Sequence, residues 1–168
     1  MPFTTLDLSK QSGTSLPSSI VTASGLTTGK VLQVLSASTT SKRSTSSTSF
    51  ADISGLSVAI TPSATSSKIL CMCTIKGVAS DNSTSDAISF KIVRDSTQIS
   101  IATNMTFGNA DQMNMTYPVV VLDSPSSTSE LTYKAQFASR QTNSSSINNT
   151  SPNDQSEIVV MEIAAWQI

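Results

Sequence analysis

The sequence predicts an all-β protein, with an antiparallel jelly-roll sandwich over residues 29–168 and a short extended segment over residues 1–28 before it. Short runs of alternating apolar and polar residues recur along the chain, as in half-buried strands, and turn signals separate them. No amphipathic pattern of about ten or more residues indicates a helix. Eight to ten strands at this spacing are typical of a sandwich or barrel, and the jelly roll fits both the count and the length.

The composition is rich in hydroxyl side chains and poor in charge. Ser and Thr make up roughly a third of the chain, charged residues make up 12%, and the formal net charge is -1. Such a chain is either disordered or a β-structure whose solvent faces carry Ser and Thr. The alternating apolar runs favour the β-structure. The charge gives no basic surface for nucleic acid, and no apolar stretch is long enough for membrane insertion.

The predicted strands, in chain order, cover residues 30–36, 41–48, 56–60, 69–78, 88–92, 99–107, 116–122, 131–137 and 157–166. The second of them is polar and suits an edge or a hairpin arm. Pro118 indicates a strand start, an edge or a bulge. The last strand is apolar on both faces, so we expect it in the centre of a sheet.

Two segments fall outside this pattern. Residues 1–28 hold too few apolar side chains to form a core alone, so we expect them to anchor the chain to a partner. The candidate anchoring residues are Phe3, Leu6, Leu8, Leu16 and Ile20. Residues 140–155 are dense in Asn, Ser and Thr with Ile147 as their one apolar residue, which predicts a loop or a protruding hairpin. The first residues lack the features of a signal peptide, which favours synthesis in a reducing cytoplasm.

Residue types that catalyse reactions or bind metals are scarce. The chain has no His, which removes the usual general base and the commonest metal ligand. Cys71 and Cys73 lie in an apolar run, and we interpret them as small buried hydrophobes. The eleven acidic residues are scattered, mostly at predicted turns, and a glycosidase, which needs only two carboxylates, remains an open alternative. We expect no enzyme activity, no cofactor and no metal.

Two residues near the end of the chain need a special environment. Glu162 lies inside the last apolar strand. Its carboxylate needs a Lys, an Arg or a neighbouring subunit if both faces of that strand are covered, and a partly wet edge position is the alternative. Trp166 fills the end of a core or a subunit contact, or it offers a stacking platform for sugars. Val160, Glu162 and Trp166 are the candidate residues for a seam with a neighbouring copy of the chain.

The order of several sequence phrases resembles a known module. The phrases are GKVLQV (29–34), SFAD (49–52), GLSVAITPSATSSKIL (55–70), ISFKIVRDST (88–97), LDSP (122–125), LTYKAQ (131–136) and VMEIAA (160–165). This series is similar to a module of bacteriophage tail-fibre proteins, especially those of phages of aquatic bacteria. The resemblance covers about residues 29–166, and the order of the phrases is more specific than any one of them.

The resemblance implies a trimeric jelly-roll head on a virion appendage, made in the cytoplasm of a host bacterium. We therefore expect a short homotrimeric fibre at the virion surface that contacts the host surface, where a glycan is a candidate ligand. Residues 1–28 would dock it onto other virion proteins of the capsid, neck or tail. Tail fibres are usually long, whereas this segment is short, so a capsid decoration or cement protein is an alternative. A lectin-like carbohydrate-binding domain is another.

Overall fold

The computed structural model describes residues 30–80, 87–100, 103–106, 115–140, 144–149 and 151–165, which contain eleven strands. In chain order these are β1 (Val31–Thr39), β2 (Arg43–Thr45), β3 (Ala51–Ile60), β4 (Lys68–Ser80), β5 (Ala87–Arg94), β6 (Thr97–Gln98), β7 (Thr103–Thr106), β8 (Met115–Asp123), β9 (Leu131–Ser139), β10 (Ser145–Ile147) and β11 (Ser156–Ile163). The described parts of the chain include no helix that is long and apolar enough to cross a membrane. The predicted anchoring residues and Trp166 lie outside the described residues.

Eight of these strands form four nested antiparallel pairs, which is the connectivity of a jelly roll. β1 pairs with β11, β3 with β9, β4 with β8, and β5 with β7. The first of the eight strands therefore pairs with the last, the second with the seventh, and so on inward. β11 also pairs with β4, and β9 with β5, so the four pairs join into two sheets. The predicted all-β jelly roll is confirmed.

The two sheets enclose one core. The first sheet has the order β1-β11-β4-β8, and β10 and β2 extend it at one end of β4. The second sheet has the order β3-β9-β5, and β6 and β7 pair with β5. Alternate residues of each strand point between the sheets because successive side chains of a strand point to opposite faces. The fully buried core residues include Leu56, Ile69, Cys71, Ile75, Ile88, Ile92, Tyr133, Ala135, Ile158 and Val160.

The sequence pattern located most of the strands. Pro118 lies on β8, which is an edge strand of the first sheet, and β11 lies between β1 and β4 in the sheet interior. Both predictions are confirmed. Within the weak strand predicted over residues 99–107, Thr103–Thr106 forms β7, whereas Ile99 and Ser100 lie outside a strand.

The prediction of a loop or protruding hairpin over residues 140–155 is wrong for its central part. β10 pairs with β4 on one side and β2 on the other, and Ile147 is fully buried in the core. Asn148 is also buried, and its side-chain nitrogen donates to the carbonyl oxygens of Thr39 and Ser41 at 2.9 and 3.2 Å. Hydrogen bonds to neighbouring strands and to Thr39 and Ser41 hold this segment in place. A strand held in this way needs no alternation of apolar residues, which is why the sequence pattern did not predict it.

The start of β1 and the end of β11 lie at the same end of the first sheet, which we call the entry end. Val31 is the register partner of Ile163, and the amide of Ala164 donates to the carbonyl oxygen of Lys30 at 2.8 Å. Thr39 pairs with Ser156 at the opposite end. Residues 1–29 and 166–168 therefore both connect to the domain at the entry end.

Candidate functional site: an apolar sheet face

The outer face of the first sheet is apolar, although the outer face of an antiparallel sheet is commonly polar and solvated. The strand register aligns outward side chains in rows across β1, β11, β4 and β8. One row is Val34, Met161, Leu70 and Leu122, and the next is Ser36, Val159, Met72 and Val120. We call these two rows, together with Val31 and Ile163 at the entry end, the apolar face.

The apolar face is exposed to solvent in the single chain. Val34, Leu122 and Val120 are 53%, 59% and 64% exposed. Val31 at the entry end is also more than half exposed, at 55%. The two central rows carry no charged side chain, whereas Lys68 lies beside Ile163 in the row at the entry end and Glu157 lies in the row on the other side. Single exposed apolar residues are normal on protein surfaces, but a contiguous set of them marks an interaction site.

The outer face of the second sheet has the opposite character. Asp52 on β3 accepts hydrogen bonds from Lys134 at 2.8 Å and from Gln136 at 2.6 Å, both on β9. The hydrogen bond from Lys134, followed by that from Gln136, lowers the pKa of Asp52. In the same row, the ammonium of Lys91 lies 4.3 Å from the ring centroid of Phe50. The outer face of the second sheet is therefore polar and charged, whereas the outer face of the first sheet is mainly apolar.

Glu162 is buried on β11, 1% exposed, and its carboxylate is held by the loop between β3 and β4. One oxygen accepts hydrogen bonds from the Ser63 amide at 2.7 Å, the Ser63 hydroxyl at 2.6 Å and the Ser67 hydroxyl at 2.7 Å. The other oxygen accepts one from the Gln33 amide at 2.7 Å. The expected partners, a Lys, an Arg or a second subunit, are thus replaced by neutral donors from the same chain.

The pKa of Glu162 reflects these donors. Burial alone raises the pKa of a carboxyl because it disfavours the charged form. The hydrogen bonds from Ser63, Ser67 and Gln33 outweigh burial and lower the pKa from its ordinary value of 4.5 to about 2. The carboxylate is therefore charged at any physiological pH. With four hydrogen bonds already accepted, it is used by the fold rather than offered to a ligand.

Val160, another predicted seam residue, is fully buried inside the single chain. Its side chain packs in the core between the sheets and has no surface to offer a second copy. This corrects the expectation for the Val160 side chain, because β11 alternates and its outward apolar residues are Val159, Met161 and Ile163. The existence of a seam between copies stays a prediction.

A second polar cluster joins the two sheets where β8 ends. The Asp123 carboxylate accepts hydrogen bonds from the guanidinium of Arg94 on β5 and from the Tyr133 hydroxyl on β9, the latter at 2.7 Å. Burial, followed by the bond to Asp123, raises the pKa of Tyr133. Burial lowers the pKa of Arg94, but the hydrogen bond to Asp123, the charge of Asp123 and the smaller contributions of Tyr133 together raise it. The cluster joins the two sheets by hydrogen bonds between their side chains, which is a structural role.

A groove of about 420 Å³ lies beside the outer edge of β8. Its lining residues are Ile99, Ser100, Tyr117, Pro118, Val119, Val120 and Val121. Tyr117 stacks on the core residue Phe90 with ring centroids 5.4 Å apart, and the Ser100 hydroxyl oxygen accepts a hydrogen bond from the Ile92 amide at 2.7 Å. A sugar site needs exposed aromatic planes and convergent polar groups, and this groove presents one aromatic ring.

The two thiols and two further carboxylates are also buried in the fold or hydrogen bonded within it. Cys71 and Cys73 are free thiols in the core, and burial raises the pKa of each to about 12, which confirms their interpretation as small buried hydrophobes. Among the described residues, no group of three or more Cys, Asp or Glu side chains could hold a metal ion. The Asp95 carboxylate accepts a bond from the Thr132 amide at 2.9 Å, and Asp154 accepts one from the Ser151 amide at 2.9 Å.

Comparisons with known proteins assign no family to the chain. No family model and no curated protein matches it. Among solved structures, a chain from the T13 IBDV viral particle matches with a TM-score of 0.41 and 11% sequence identity over 80% of this chain. This chain spans 36% of the length of that one. A likeness at this level assigns no function.

Proposed function

We propose that this protein is a non-enzymatic structural component of a bacteriophage virion. In this proposal it is a short homotrimeric fibre at the virion surface, with a jelly-roll head and an N-terminal segment docked onto other virion proteins. The observation that carries the proposal is the apolar face, a contiguous apolar surface exposed by a single copy of the chain. Such a surface is unfavourable in water and favours a protein that functions within an assembly.

The sequence resemblance to bacteriophage tail-fibre proteins is the reason for proposing a phage virion as this assembly. The phrases that carry the resemblance lie mainly on strands of the jelly roll, including β1, β3, β4 and β11, so it follows the fold rather than one loop. The connection of residues 1–29 at the entry end also supports the proposal. An anchor there leaves the opposite end of the head free to contact the host surface.

The surroundings of the carboxylates support a non-enzymatic role. Glu162 accepts four hydrogen bonds from donors of its own fold, and the Oδ2 atom of Asp123 accepts one from Arg94 and one from Tyr133. A glycosidase needs two carboxyl groups that face one cleft and remain available to substrate and water. Neither residue meets that requirement.

The anchoring role is tested in the full-length chain with Leu6→Ser and Leu8→Ser together. We expect the variant to keep the oligomeric mass of the wild type but to be absent from purified particles, because the substitutions remove apolar anchoring area. Particle composition by mass spectrometry and the mass of the free protein in solution measure the two effects. Ser12→Ala serves as the matched control. Normal incorporation of the double variant would contradict the proposed anchor.

The alternative of a capsid decoration protein shares the apolar face and differs in position on the particle. A particle reconstruction distinguishes the two, since a decoration protein lies over the capsid lattice and a fibre projects from one attachment site. The lectin alternative requires binding to a glycan in the absence of any particle, which a glycan array with the purified protein measures.

A further inference from the structure

We infer that Arg43 and Ser145 form a binding site for a small anionic group, a carboxylate or a phosphate, at the end of the first sheet opposite the entry end. The site lies between β2 and β10, which extend that sheet beside the last residues of β4. The inference is independent of the proposed function, because it concerns two polar side chains that their own fold does not satisfy.

The strand register places the two side chains on the same face. Arg43 lies opposite Ile147 in the pairing of β2 with β10, and Ser145 lies two residues before Ile147. Ile147 is fully buried in the core, and residues two apart on a strand point to the same side. Arg43 and Ser145 are therefore diagonal neighbours that point inward, at a separation of about 7–8 Å that a long side chain can span.

Each of the two side chains carries a buried polar atom. The Nε atom of Arg43 and the Oγ atom of Ser145 have no hydrogen-bond partner within the described part of the chain. Ser145 is only 1% exposed. The neighbouring Thr45 hydroxyl is already engaged, because its oxygen accepts a bond from the Ser47 amide at 3.1 Å. A buried polar group without a partner is unfavourable, so a group that binds to both atoms would stabilise the fold.

The charge of Arg43 determines which kind of group fits. Its Nε–H group only donates, and a hydroxyl can donate to the same acceptor, so the ligand must present acceptor atoms. Arg43 takes part in neither of the two ion pairs mapped among the described residues. A charge that is partly removed from water without a counter-charge is unfavourable. An anion offsets that charge, whereas a neutral hydroxyl or a water molecule satisfies the hydrogen bonds alone.

The position of β2 leaves the site open on the side of Arg43. β2 is the last strand in the order β1-β11-β4-β10-β2, and β10 is its pairing partner among the described strands. Arg43 is partly buried, whereas Ser145 is closed off from solvent. A ligand that reaches both residues must therefore be a small ion or the charged tip of a larger molecule. A carboxylate or a phosphate has enough oxygens to accept from both donors.

An inward charge on an edge strand also has a second explanation. Such a charge discourages the edge from pairing with other chains, and that effect requires no ligand. The two explanations differ in one measurable respect. A binding site makes the stability of the protein depend on the concentration of the anion, because a ligand that binds only the folded state stabilises it.

The test is the thermal unfolding midpoint of the full-length protein in increasing acetate or phosphate, with sodium chloride as the balancing salt. We expect the wild-type midpoint to rise with anion concentration. Arg43→Met and Ser145→Ala should each make this rise at least fivefold smaller. Lys42→Met, which removes a neighbouring exposed cation, is the matched control and should keep the full rise. Circular dichroism verifies that each variant is folded.

The stability of Arg43→Met without added acetate or phosphate gives a second readout. An apolar side chain in place of a partly buried, uncompensated charge should leave the midpoint unchanged or raise it. A purely structural role of Arg43 would instead lower the midpoint by the same amount with and without the anion. That outcome overturns the inference.

Titration calorimetry with glucuronate, acetate and glucose distinguishes the source of the anionic group. Glucuronate that binds at least tenfold more tightly than acetate, with no binding of glucose, identifies an acidic sugar. Equal binding of glucuronate and acetate identifies a free ion. Loss of either signal in Arg43→Met supports the site.

The failure of this inference is distinct from the failure of the proposed function. A wild-type midpoint that follows the anion no more than that of Arg43→Met overturns the anion site. A crystal structure grown in phosphate that contains only an ordered water between Arg43 and Ser145 also overturns it. Both outcomes leave the proposed virion role intact, whereas absence of the protein from purified particles overturns that role and leaves the anion site intact.

Discussion

Glu162 is a buried carboxylate in an apolar strand, and its stabilisation by neutral donors has a measurable consequence. Its pKa is lowered to about 2 in the folded protein, against an ordinary value of 4.5. A group with a lowered folded-state pKa stabilises the protein above its unfolded pKa. That contribution is lost as the pH falls from about 4.5 towards 2. The charged Glu162 carboxylate therefore stabilises the folded state over the whole physiological range of pH.

We predict that Glu162→Gln lowers the free energy of unfolding by about 2 kcal/mol at pH 7, because the hydrogen bonds to a charged acceptor are lost. The difference from the wild type should shrink between pH 4.5 and pH 2, where the wild type loses its own contribution. Urea denaturation at a series of pH values measures both effects. The control is Glu157→Gln, which changes an exposed carboxylate of the same strand. An equal loss in both variants would argue against the hydrogen-bonded site.

The sequence indicated that Glu162 needed a partner, but it could not indicate which one. Ser63 and Ser67 lie about a hundred positions away and belong to a chain in which a third of all residues are Ser or Thr. Nothing distinguishes them from the other hydroxyl residues until the β3–β4 loop is placed next to β11. The buried cysteines were easier to predict, because their environment depends only on the alternation within β4.

At the scale of elements, the contact between β1 and β3 depends on one glycine. Gly55 has a positive φ of 93°, and a Cβ atom there would lie 2.9 Å from the Cβ atom of Thr39 on β1. The register of β3 with β9 also shifts between Asp52 and Ser57, so Gly55 lies within a bulge. Bulges commonly place glycine where the backbone needs a conformation that other residues avoid.

Gly55→Ala should therefore destabilise the protein by about 2 kcal/mol or more, from backbone strain and from the clash with Thr39. Thermal and urea unfolding measure the loss. Ser54→Ala, at the exposed neighbouring position, should change stability by less than about 0.5 kcal/mol. Combining Gly55→Ala with Thr39→Gly, which removes the Cβ atom at the contact, should cost less than the sum of the two single variants. If the two losses simply add, the whole effect of Gly55→Ala comes from backbone strain.

Elements with regular alternation were predictable, and elements held by polar contacts were not. The inward residues of β4 and β9 follow the expected period of two, and every one of them with a described side chain is buried. β10 has the sequence Ser145-Ser146-Ile147 and gives no such signal. It is a strand because β2 and β4 supply hydrogen-bonding partners on both sides. Those partners come from remote parts of the sequence.

At the scale of the whole molecule, the two sheets are joined by a charged link as well as by the core. Asp123 ends β8 in the first sheet, while Arg94 and Tyr133 belong to the second sheet. Tyr133 is itself fully buried, so its hydroxyl group depends on this acceptor. A buried donor without a partner costs about 1–3 kcal/mol.

Asp123→Ala should lower the free energy of unfolding by about 3 kcal/mol, because it leaves both Arg94 and Tyr133 without their acceptor. Tyr133→Phe should cost about 1 kcal/mol, and the double variant should cost less than the sum of the two. A double-mutant cycle by urea denaturation measures this coupling. Strict additivity would show that the hydrogen bond between the sheets contributes nothing to stability.

The apolar face is a property of the whole molecule, and the sequence alone did not locate it. Apolar residues on both faces of the last strand predicted its place in the centre of a sheet, but they did not predict which residues of other strands lie beside it. In the assembled sheet, one side of that strand faces the core and the other faces outward. Val34, Met161, Leu70 and Leu122 come from four separate strands, so their contiguity depends on the order β1-β11-β4-β8.

The pairing of the first strand with the last also constrains how the protein is made. β1 is among the first parts of the head to leave the ribosome, but its neighbour β11 is translated near the end of the chain. Domains with many such remote pairings fold slowly, since a long loop must close before the contact forms. The jelly roll therefore completes its fold only after β11 has left the ribosome. Until then the middle of the apolar face is missing, because Val159 and Met161 of β11 link the residues of β1 to those of β4.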